Sequence, residues 1–114
     1  MGSEQVLALI QQALDADPGG GLTVAQVLDE RAHGRCDFWI GEKSVAVCGM
    51  QRPLGLREYH VWLAAGDLDE LRTMEAAATT YAIEQGCERI VVHGRKGWKR
   101  ALGYEQAPTI RKEL

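Results

Sequence analysis

Segment 58–104, EYHVWLAAGDLDELRTMEAAATTYAIEQGCERIVVHGRKGWKRALGY, constrains this chain more than any other stretch. Its hydrophobic period changes from two to about 3.6 and back, which predicts a strand, a long helix, a second strand and a short helical turn. A strand, a crossover helix and a further strand make one βαβ-type unit, and the remaining segments are short enough to pack onto it. In the strand at 58–64, Tyr59, Val61 and Leu63 alternate with His60 and Trp62, so the aliphatics are expected on one sheet face and the polar aromatics on the other. Asp67 is the predicted N-cap of the long helix, with Glu70 at N3 as its reciprocal partner. Leu71, Met74, Ala78 and Ala82 form its buried stripe, and Gly86 ends it. The Ile90-Val91-Val92 run predicts a strand buried on both faces.

Ahead of this unit, Leu7, Ile10 and Leu14 recur at helical spacing, and Asp17-Pro18 with Gly19-Gly20-Gly21 stops that helix. Thr23 and Gln26 form a capping-box pattern, predicting a second helix from Val24 that buries Val27 and Leu28 and closes at His33-Gly34. Residues 37–40 and 44–50 read as two antiparallel strands joined by a hairpin at Gly41-Glu42-Lys43, followed by a loop around Pro53 and Gly55. After the βαβ unit, residues 98–102 fit one helical turn, and residues 104–114 return as a last strand interrupted at Pro108.

At 114 residues the chain is expected to form a single domain, 1–114. No apolar run approaches the ~20 residues of a membrane span. The start, MGSEQVLALIQQ, has no basic region before its apolar residues, so it is not read as a secretory signal and a cytoplasmic location is expected. The formal charge of -3 argues against nucleic-acid binding by the surface as a whole. Arg95, Lys96, Lys99 and Arg100 nevertheless form a local basic cluster beside His93, suited to a phosphate, a nucleic-acid backbone or an acidic protein patch. Cys36, Cys48 and Cys87 are odd in number and form no CxxC pair, which argues against a disulfide framework. His33 and Cys36 lack further ligands at convincing spacing, so no metal site is expected.

The element order α-α-β-β-β-α-β-α-β, together with Gly97-Trp98-Lys99-Arg100-Ala101-Leu102-Gly103-Tyr104 and Glu84-Gln85-Gly86-Cys87-Glu88-Arg89-Ile90-Val91-Val92, resembles the GNAT superfamily of N-acetyltransferases. The resemblance implies an α/β (α+β) fold: a mixed, mostly antiparallel twisted sheet flanked by helices, here lacking the family's usual first strand. It also implies acetyl-CoA as cofactor and an amine as acceptor if the chain is an enzyme. In that family the acetyl-CoA pyrophosphate is held by a glycine-containing loop at the start of the long helix, where free N–H groups and the helix dipole attract anions. The corresponding stretch here, Ala64-Ala65-Gly66-Asp67-Leu68-Asp69-Glu70-Leu71, is shortened and carries Asp67, Asp69 and Glu70 in the first turn. Those carboxylates suit the helix dipole and repel a pyrophosphate.

No catalytic or cofactor residue is assigned outright. The candidates that the resemblance supplies are His60 and Glu58 on the third strand as bases, Lys99 where many members carry a proton-donating tyrosine, and Trp62, Leu63, Arg95 and Lys96 as cofactor or pocket contacts. Gly94-Arg95-Lys96-Gly97-Trp98 and the closing Ile110-Arg111-Lys112-Glu113-Leu114 resemble the small GNAT-like proteins of tailed phages, prophages and gene transfer agents. The expectation is therefore a GNAT-like protein without conventional acetyl-CoA transfer, acting as a virion-associated structural or accessory component through protein partners or self-association. An active N-acetyltransferase is the alternative, and a nucleic-acid binder using the basic cluster is a third.

Overall fold

The computed structural model describes residues 1–16 and 22–93, and the backbone of 105–106 and 110–113. It is an α+β domain in the order α1 (Ser3–Asp15), α2 (Val24–Ala32), β1 (Asp37–Ile40), β2 (Val45–Gln51), β3 (Glu58–Ala65), α3 (Leu68–Glu84) and β4 (Arg89–Val92). Strands β1 to β4 form an open mixed sheet. β1 pairs antiparallel with β2, β2 antiparallel with β3, and β3 parallel with β4. The parallel pair follows from the 17-residue crossover helix α3, because a hairpin cannot return a chain in the same direction. Two short strands, β5 (Glu105–Gln106) and β6 (Ile110–Glu113), extend the sheet beyond β4 in the order β1-β2-β3-β4-β6-β5. The turn expected at residues 98–102 lies outside the described residues.

Local chemistry sets the helix boundaries. Thr23 accepts the Gln26 N–H at 3.2 Å, and the Gln26 side chain accepts the Thr23 N–H at 2.8 Å, completing the capping box that starts α2. At the end of α3, Gly86 adopts φ +75, and the Arg57 guanidinium donates to the Gln85 carbonyl, which places a cation at the negative end of the dipole.

The sheet carries an apolar cluster on each face. Under α3 lie Ala46, Cys48, Tyr59, Val61, Ala64, Ile90 and Val92, covered by Ala78 and Ala82 with Leu71 and Met74 at the margin. The two alanines, 4% and 0% exposed, let α3 approach the sheet closely. Trp39, Tyr59 and Tyr81 close this side edge to face, and the Trp39 indole N–H donates to the Tyr59 hydroxyl at 2.8 Å. On the other face Val6, Ile10, Ala13 and Leu14 of α1 and Val27 of α2 pack on Val45, Val47, Leu63 and Ala65. Leu28, expected in this core, is 39% exposed; α2 turns Val27 to the core, with Val24 at its margin.

One break in alternation matters for the site. Val47 pairs with Leu63 and Cys48 with Val61, so Trp62 is the extra residue of a β-bulge in β3. Beyond the bulge the faces exchange. Tyr59 and Val61 point to α3, whereas Leu63 joins the α1/α2 cluster, contrary to the straight alternation expected from sequence.

Candidate functional site

Two polar constellations flank the β3-α3-β4 unit. The first is the start of α3. Gly66 has φ +132, and a Cβ there would meet the Lys43 carbonyl and Ser44, so the turn into the helix requires glycine. Asp67 caps the helix by accepting the Glu70 N–H at 3.0 Å. The reciprocal bond expected from Glu70 is replaced. Asp67 gives its own N–H to the buried hydroxyl of Ser44 at 2.9 Å, and the Glu70 carboxylate instead accepts the N–H groups of Glu42 and Lys43, each at 2.9 Å, in the β1-β2 hairpin. The Lys43 N–H first, then the Ser44 hydroxyl and the Glu42 N–H, hold the Glu70 carboxyl below its ordinary range. Gly41 makes room for it, since a Cβ at that position would collide with the carboxylate. The hairpin N–H pair beside α3 is therefore already bound to an internal anion.

The second constellation lies on the opposite sheet face. In the parallel register Glu58 sits beside Arg89 and His60 beside Val91, which leaves His93, just past the end of β4, diagonal to His60. The His93 N–H bonds the Val61 carbonyl at 2.9 Å and fixes its backbone. The side chains form a line: Arg89 Nη1 to Glu58 Oε2 at 3.4 Å, Glu58 Oε1 to His60 Nε2 at 3.0 Å, and His60 Nδ1 to His93 Nε2 at 2.7 Å. The side chains of Glu58 and His60 are 10% and 12% exposed, so these bonds are made largely out of water. The Trp62 ring lies tilted over His60 at 5.9 Å between centroids, aimed there by the bulge. Gly49 accommodates it, because a Cβ would come within 2.5 Å of the indole.

A cleft of about 760 Å³ opens between α2 and this face. His93, Trp62, Leu63 and Val47 form one wall, and Gln26, Asp29 and Glu30 of α2 form much of the other. Its lining among the described residues contains carboxylates and an imidazole but no lysine or arginine. His93 is the imidazole that borders the cleft, with His60 standing behind it.

Of the candidates read from sequence, Glu58, His60 and Trp62 thus come together, and Leu63 combines a core position with a place on the cleft wall. Lys99, Arg95 and Lys96, with Arg100, lie outside the described residues. Arg89 and the pairing of His93 with His60 were missed, because the relation depends on a parallel register between strands separated by α3. The thiols of Cys36, Cys48 and Cys87 are free and buried, and burial pushes Cys48 up to about 12, which removes it as a nucleophile at neutral pH. Among the described residues no group of three or more His, Cys, Asp or Glu is arranged to hold a metal ion, and no helix is long and apolar enough to cross a membrane. No protein-family model matches the chain, and no curated protein matches it.

Proposed function

We propose that this chain is a GNAT-like scaffold of phage or prophage origin that works through protein contacts, as a virion-associated structural or accessory component, without conventional acetyl-CoA transfer. The GNAT-like reading is supported by one parallel β3-α3-β4 unit within an otherwise antiparallel sheet, and by the C-terminal strands continuing beyond β4 in the order β4-β6-β5. The phage assignment rests on the sequence resemblance of its C-terminal segments. The observation that carries the functional half is Glu70. Its carboxylate occupies the hairpin N–H pair beside the start of α3, and Asp67 and Asp69 add charge in the same turn, so a pyrophosphate meets repulsion where the helix dipole would otherwise attract it. A thermal-shift titration with acetyl-CoA tests this. A native-state ligand at 100 times its Kd adds ~2.7 kcal/mol of stability; the expected result is no saturable shift, and a saturable one overturns the proposal.

A second reading, an N-acyltransferase that holds its donor elsewhere, is favoured by the Glu58-His60-His93 line at the cleft. It predicts release of free CoA thiol when an amine acceptor is supplied, and release at the no-protein rate across an acceptor panel removes it.

A further inference from the structure

No further inference is drawn: the strongest candidate, the apolar pocket of about 40 Å³ between α3 and the sheet, bordered by Trp39, Ala46, Cys48, Val61, Leu71 and Met74, carries nothing, because the polar atoms of Cys48 and Trp39 are already bonded to Tyr59 and nothing in the structure shows what fills it.

Discussion

The two faces of one sheet have opposite characters. Beneath α3 the side chains of β2, β3 and β4 are Ala46, Cys48, Tyr59, Val61, Ala64, Ile90 and Val92, an apolar layer with one small pocket of about 40 Å³, in which the polar atoms of Cys48 and Tyr59 serve each other and Trp39. Beneath α1 and α2 the same strands present Glu58, His60, Trp62, Arg89 and His93 at one end and Val45, Val47, Leu63 and Ala65 at the other. Strand alternation makes this division possible, since each residue of β3 or β4 is committed to one face. The lesson is that chemistry and packing share strands here without sharing a layer. Polar residues therefore cost little core volume, and the α3 face leaves a pocket of only about 40 Å³ while the other holds a cleft of about 760 Å³.

The largest expected effect lies on the apolar face. Ile90, 0% exposed at the centre of the α3 layer, should lose about 2–5 kcal/mol of stability on replacement by alanine. Urea denaturation reads this as a lower midpoint at unchanged slope. A loss below 1 kcal/mol would mean that the α3 layer is not the tighter of the two. Next comes the polar face. Glu58→Ala removes the carboxylate that contacts both His60 Nε2 and Arg89 and should cost about 1–3 kcal/mol in the same assay. A neutral result would show that the polar face is wetter than its burial indicates.

A smaller, pH-dependent effect is expected at the hairpin. The Glu70 carboxyl is held below its ordinary 4.5, so its contribution is present above that value in the unfolded chain and is lost as pH falls through the lower folded value. Wild type should exceed Glu70→Gln in denaturation midpoint at pH 7, and the gap should close on acidification below 4.5. A gap that widens in acid would contradict the hairpin contact. The smallest effect belongs to Leu28. Leu28→Gln should change stability by less than about 0.5 kcal/mol, because the side chain is 39% exposed and stands outside the α1/α2 cluster. A loss comparable to that at its buried neighbour Val27 would return Leu28 to the core.

Features governed by near neighbours in sequence were legible. The Thr23-Gln26 capping box, the Asp67 cap, the β1-β2 hairpin and the Leu71-Met74-Ala78-Ala82 stripe each depend on residues three or four apart, where the physics is local. The bulge at Trp62 was not, because Tyr59, Val61 and Leu63 alternate in sequence whether or not an extra residue is inserted in the ladder. Glu70 satisfied the capping-box pattern but found stronger donors 27 and 28 residues away, in a hairpin brought near by the sheet. His60 and Glu58 were recognised as candidates on one strand. Their connection to His93 and Arg89 required the parallel register that only the folded β3-α3-β4 unit supplies.

The central claim is that the start of α3 is closed to phosphate by its own carboxylates. Its most direct measurement is the backbone amide spectrum of the nitrogen-15-labelled protein during titration with acetyl-CoA to millimolar concentration. The account predicts that the amide signals of Glu42, Lys43, Leu68, Asp69 and Glu70 stay in place. A saturable displacement of those five signals would contradict it.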